Sequence, residues 1–268
     1  MSMRPDGPSR SPWRYDVKPF SIVDNVYYVG NASVSCHLFD TGEGLLLLDT
    51  GYMQTAYLLL EAIRELGFDP HDIRWILHSH CHIDHFGATR ILQEKYGCKT
   101  YMPETDVEFL TTRPELNWSY DFDLPFEAPF DTYFDVDHYV NPGDVLTFGN
   151  TKVEVFDAAG HTPGTVAYRF TLPGGLKAAM HGGIGINTLS REYAEKHGLG
   201  ETWRDAFQRS LKGLKGLEVD VVLGNHPYQT KTFEKLAART PENNPFIDPQ
   251  EWDGLIVNAQ ERYREKCL

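Results

Sequence analysis

The stretch "ILHSHCHIDHFGATR", residues 76–90, places His78, His80, His82, Asp84 and His85 within eight positions. The apolar run at 73–77 just before it reads as a buried strand, and residues 86–97 read as the helix that leaves it. An extended backbone points alternate residues the same way, so His80 and His82 face one direction at the strand end. Asp84 and His85 follow where the helix begins, and adjacent residues there diverge. One short segment thus offers two ligands to one metal ion and two to a neighbouring ion. Imidazole and carboxylate are borderline-to-hard donors that suit Zn²⁺ at about 2.0–2.2 Å. A single buried histidine is commonplace in a core, whereas this pattern directly after a buried strand reads as a metal site.

The chain around this stretch has 268 residues, 41% of them hydrophobic and 13% aromatic, enough for a sizeable core. Its net charge of −13 argues against nucleic acid and against an anionic membrane surface, both of which select basic patches. A small-molecule substrate is the expected partner. Cys36, Cys81, Cys98 and Cys267 show no CxxC spacing and no disulfide framework, so free thiols in a reducing compartment are expected. The first twenty residues lack the apolar segment of a secretory signal, and no run approaches a membrane span. The expected location is cytoplasmic.

Strands and helices interleave along the chain, which predicts α/β layers in a single domain over 1–268. Residues 1–14 form a polar lead-in. "NVYYVG" and "GLLLLDTG" read as strands, and "TAYLLLEAIRELG" as an amphipathic helix stopped by Gly67. "KTYMP" is a further strand. "VLTFGNTKVEVFDAAG" reads as a hairpin turning at Gly149-Asn150, and "TVAYRFTLPGGLKAAMHGG" as a second one turning at Pro173-Gly174-Gly175. Residues 201–217 and 249–266 are expected to be helical, with "VDVVLGNHP" a late strand running into a loop. Residues 114–137 differ from all of these. They have no regular period, many aromatics, seven acids and no Lys or Arg, which predicts a packed loop over the active site. Trp118, Tyr120 and Phe122 are its candidate substrate contacts.

"HSHCHIDH" resembles the HxHxDH motif of the metallo-β-lactamase superfamily, an αββα sandwich with metals in the cleft between its sheets. Three further features match in order: Asp49 in "LLLLDTG", His161 in "AAGHTPGTVAY" and His226 in "VDVVLGNHP". The resemblance covers roughly residues 20–235. It implies that His80, His82 and His161 hold one zinc and that Asp84, His85 and His226 hold a second. Asp49 is then the residue that orients the ligands from behind. Cys81, between two ligands, is expected to pack inward. His78 and His181 are expected to be buried or supporting residues, and His37, His71, His138 and His197 structural or surface ones.

The departure from the family lies in "AAMHGGIGIN". Most superfamily hydrolases place a metal-bridging aspartate after this strand, and here Gly183 stands in its place. That loss resembles the third subclass of metallo-β-lactamases, whose second zinc uses Asp, His and His alone. The subclass has serines at and just after this position, which bind the substrate carboxylate, whereas this chain has Gly183 and Gly185. Glycine there is expected either to admit a bulkier substrate or to satisfy a backbone constraint.

The resemblance implies a dinuclear zinc hydrolase, β-lactamase-like, in which a metal-bridging hydroxide attacks an activated carbonyl and Asp84 orients it. A lactonase or thioesterase on the same site is the alternative. An iron-dependent oxidoreductase of the sulfur dioxygenase kind is a further one, with iron replacing zinc. The flavin-linked diiron relatives carry glutamate where this chain has His82. There is no GxSxG elbow, GxGxxG or P-loop to suggest other chemistry. The acids of residues 114–137 would repel an anionic substrate, which typical β-lactams and glutathione thioesters are, and favour a neutral or cationic one.

Overall fold

Two sheets face each other in the computed structural model, which describes residues 7–117 and 132–267. The first begins as an antiparallel meander of β1 (Phe20–Val23), β2 (Val26–Tyr28), β3 (His37–Asp40) and β4 (Leu45–Leu48). It continues with β5 (Ile73–Leu77), β6 (Lys99–Pro103) and β7 (His138–Val140), each parallel to its neighbour and β5 parallel to β4. The second sheet is an antiparallel run of β8 (Val145–Phe148), β9 (Thr151–Asp157), β10 (Val166–Thr171) and β11 (Lys177–His181). Short β12 (Val221–Val222) adds to it parallel to β11.

The helices are α1 (Ala56–Glu65), α2 (Ile83–Phe86), α3 (Thr89–Tyr96), α4 (Glu104–Thr112), α5 (Arg191–His197), α6 (Thr202–Leu214), α7 (Thr232–Ala238) and α8 (Glu251–Cys267). No helix among the described residues is long and apolar enough to cross a membrane.

Side-chain alternation explains the layering. In β4, Leu46 and Leu48 enter the core between the sheets, while Leu45 and Leu47 pack against Leu59 and Ile63 of α1. A strand covered on both faces reads as an unbroken apolar run, which is why residues 45–48 are four leucines. In β10, Tyr168 and Phe170 join the inter-sheet core and Ala167 turns to α6 and α8, where Phe207 and Trp252 wait. Phe39 stacks on Phe170 across the sandwich with ring centroids 4.5 Å apart. Helix, sheet, sheet, helix is therefore the order, the αββα sandwich that the family resemblance implies.

Both expected hairpins form, as β8–β9 and β10–β11. The helix expected over 86–97 forms only as α3, since Phe86 ends the separate turn α2 and Gly87 and Ala88 lie between the two. Six elements have no counterpart in the sequence reading: β1, β3, β7, α4, α5 and α7. Trp118, Tyr120 and Phe122 lie outside the described residues. The returning leg of the loop at 132–137 does pack, with Phe134 stacked on His78 at 4.9 Å.

Candidate metal centre

Parallel strands deliver side chains to a cleft at their carboxyl ends. Asp49 directly follows β4 and His78 directly follows the parallel β5, so the two segments that carry the predicted site emerge side by side. His161 arrives from the turn between β9 and β10 of the opposite sheet, and His226 from the loop after β12.

These residues form two abutting groups. The ligand atoms of His80, His82 and His161 all lie within 4.8 Å of one another, as do those of Asp84, His85 and His226. His80 Nε2 stands 3.1 Å from His82 Nδ1. Asp84 Oδ2 is 3.4 Å from His85 Nε2 and 3.7 Å from His226 Nε2. The ring centroids of His80 and His85 are 4.3 Å apart, which joins the groups into one centre.

The far nitrogens are held from behind. His85 Nδ1 donates to Asp49 Oδ2 at 2.8 Å, His161 Nδ1 to the Gly185 carbonyl at 2.9 Å, and His226 Nδ1 to the Ser33 carbonyl at 2.8 Å. Each such bond fixes a tautomer whose Nε2 lone pair faces the centre. His85 Nε2 and Asp84 Oδ1 are buried and have no hydrogen-bond partner among the described residues. Buried polar atoms are nearly always satisfied, so an inward-facing set of imidazole and carboxylate donors with orphans among them fits metal ions.

Asp49 serves both groups. It adopts a left-handed backbone, φ 58°, the kind of strained conformation that clusters at functional sites. Besides His85, its carboxylate accepts from Ser79 N at 2.8 Å and Ser79 Oγ at 2.7 Å. Ser79 Oγ in turn lies 3.0 Å from His80 Nδ1. One carboxylate therefore orients His85 directly and His80 through a hydroxyl.

Burial sets the protonation states. It pushes His80 and His161 well below the ordinary histidine value, helped by neighbouring imidazoles, and takes His82 down to about 4. All three are neutral and ready to coordinate at pH 7. Burial also works against charge at His85, but Asp84 and Asp49 outweigh it and raise that imidazole to about 10. Burial would raise the Asp84 carboxyl, yet His85, His226 and His82 hold it well below the usual carboxylate range. A metal cation held by this second group would take the place of the His85 proton.

A cleft of about 690 Å³ opens over the centre, with His82, Asp84, His161 and His226 in its wall. The metallo-beta-lactamase superfamily model matches residues 29–176, more than half of the chain. This chain belongs to the metallo-beta-lactamase superfamily. The fold is similar to that of BJP-1, a subclass B3 metallo-beta-lactamase of Bradyrhizobium japonicum, with a TM-score of 0.81, 25% identity and 94% of each chain covered. By sequence, the chain is 25% identical to the N-acyl homoserine lactonase AttM of Agrobacterium fabrum over 72% of its own length and 65% of the lactonase. It is 27% identical to a hydroxyacylglutathione hydrolase of Chelativorans over 43% of its own length and 35% of that enzyme. The chain spans under two thirds of the length of the curated relatives it matches first.

Against the superfamily pattern, the missing aspartate has a steric reason. A Cβ on Gly183 would lie 2.6 Å from His161 Cδ2, and one on Gly185 would lie 3.1 Å from His161 Cε1. The His161 ring fills the volume that a side chain at 183 would need, so the glycines make room for a histidine of this chain. Thr188 Oγ1 completes the seat by donating to the His161 carbonyl at 2.9 Å.

The other histidines behave as supporting residues. His78 is bonded to the Tyr101 carbonyl and to Thr89 Oγ1. His181 is buried against Phe207 on the helix side of its sheet, because alternation along β11 turns it away from the inter-sheet core that holds Met180. Cys81 is fully buried, with Sγ 3.4 Å from Asn117 Oδ1. The sequence reading missed Ser79, Thr188 and Asp106. Ser79 was open to discovery, since it adjoins His80 and shares a strand end with it. The other two are joined to the site only by distant contacts.

Proposed function

We propose that this chain is a dinuclear zinc-dependent hydrolase acting on an activated carbonyl. The observation that carries the reading is the pair of abutting donor groups, each backed by hydrogen bonds that aim its lone pairs inward. His80, His82 and His161 would hold the first zinc; Asp84, His85 and His226 the second. When bound, the two ions supply Lewis acidity for the carbonyl oxygen and a water acidified toward neutrality. Asp84 lines the cleft and would orient the nucleophile by accepting a hydrogen bond from it. Asp49 and Ser79 keep His80 and His85 in place without touching substrate. Iron in the same donors would instead support an oxidoreductase, and metal analysis separates the two.

A ring-opening lactonase reading is favoured over a β-lactamase one by the charge of the cleft. Lys196 is the one lysine or arginine among the described residues that line it, and Glu115 and Glu192 line it too. Residues 118–131 carry four acids and no Lys or Arg in the sequence, so they add no cation wherever they lie. With Gly183 and Gly185 in place of serines, little remains to hold a substrate carboxylate. A neutral lactone, the kind of substrate named for AttM, suits this wall better than an anionic β-lactam. We assign the chain a small-molecule substrate, with neither nucleic acid nor membrane as partner. A reducing, cytoplasmic setting is supported by four buried free thiols.

The test is turnover of a neutral lactone and of a β-lactam by zinc-loaded protein, with His226→Ala as control. Lactone opening that disappears in the variant is the expected result. Preferred β-lactam turnover reverses the choice of substrate. A chain that binds no metal, or that hydrolyses neither and binds iron, sinks the hydrolase reading.

A further inference from the structure

Asp106 sits in the first turn of α4 with no exposed surface, and its bonded partners are all neutral. Its Oδ2 accepts from Cys81 N at 2.8 Å and from Thr162 Oγ1 at 2.7 Å, and its Oδ1 from Gly164 N at 2.6 Å. A buried carboxylate without a cation is costly to keep. Here burial pushes the carboxyl up to about 6 in spite of those donors.

The partners explain its presence. Cys81 stands between His80 and His82, on the loop that leaves the first sheet. Thr162 follows His161, and Gly164 closes the same turn, on the second sheet. One carboxylate therefore fastens together the two loops that contribute the first donor group. Gly164 is glycine for this reason: a Cβ there would lie 2.5 Å from Asp106 N and 2.7 Å from Asp106 Oδ1. Towards the core, the same seam continues through Tyr168 Oη to the His78 carbonyl at 2.7 Å and Val166 N to the Ser79 carbonyl at 3.2 Å. Asp106 is the part of the seam next to the ligands.

We propose that Asp106 is a positioning residue that sets the separation between the His80/His82 pair and His161, and with it the metal affinity of the first group. The inference rests on the two-metal reading above and adds a residue that the ligand motifs do not contain.

Zinc titration against a chromophoric chelator tests it. Each group is read alone, the first in a His226→Ala background and the second in a His161→Ala background. Asp106→Asn keeps the shape but turns an amide NH₂ toward a backbone donor. It is expected to weaken the first group roughly 10- to 100-fold and the second by less than about threefold. Thr162→Val, which removes one arm and leaves the carboxylate, is expected to give a smaller loss at the first group, and Thr162→Ser to restore it. The Thr162 pair carries the test if Asp106→Asn does not fold. Equal weakening of both groups would show a role in general stability and overturn the proposal, as would no weakening by either variant in a parent that binds two zincs. A parent that binds no zinc overturns this inference and the two-metal reading together.

Discussion

Gly183 and His161 compete for one volume, and the histidine holds it. The imidazole is fixed by the Gly185 carbonyl at 2.9 Å, and a Cβ on Gly183 would stand 2.6 Å from Cδ2 of that ring. The segment that bears a bridging carboxylate in most superfamily hydrolases is here a backrest for a histidine of the first group. Gly183→Asp is therefore expected to push the ring off its seat rather than to restore a bridging ligand. Zinc content should fall toward one ion per chain, and first-group affinity by about tenfold or more, in line with losses when ligand support is disturbed. Equilibrium dialysis with metal analysis reads the outcome, and circular dichroism checks that the fold is retained. A variant that binds zinc more tightly than its parent would refute the steric account.

At the scale of elements, the outer helix layer reaches the site through packing. Trp252 of α8 is 1% exposed, and its Nε1 donates to the Leu214 carbonyl of α6 at 2.9 Å. One helix face further on, Arg262 donates to the Ile184 carbonyl at 3.2 Å, between the two glycines behind His161. Truncating Trp252 to alanine leaves a large cavity and an unpaired carbonyl in this layer, so about 3–5 kcal/mol of stability should be lost. Urea unfolding checks it, and a loss below about 1 kcal/mol would mean that α8 is not docked as described. The sequence reading anticipated α6 and α8, yet it missed α4. An acid in a first helical turn ordinarily reads as a solvated partner of the helix dipole. Asp106 is something else only because residues 25, 56 and 58 positions away close over it.

Across the whole molecule, what was legible in the sequence is what short-range pattern encodes. The HxHxDH spacing and, through the family resemblance, the two later histidines named all six residues of the two donor groups, and the aspartate at the end of a leucine strand named the residue behind them. The strand that brings His226 is only two residues long, and its place beside β11 follows from tertiary pairing that no local period reveals. The burial of His181 is a property of this assembled packing, and it makes the molecule sensitive to acid. Burial alone pushes this imidazole from 6.5 down to about 3. Between those values the unfolded chain binds a proton that the folded chain refuses, so stability is full above about pH 6.5 and falls as the pH drops. His37, buried and pushed down to about 4, adds to the same trend. In His181→Gln one such proton is removed from the difference. The unfolding free energy of chelator-treated protein should then fall less steeply between about pH 6 and 4, by roughly 1.4 kcal/mol per pH unit. Parallel curves for parent and variant would mean that His181 takes up its proton in the folded state, and that the helix layer over β11 opens to water.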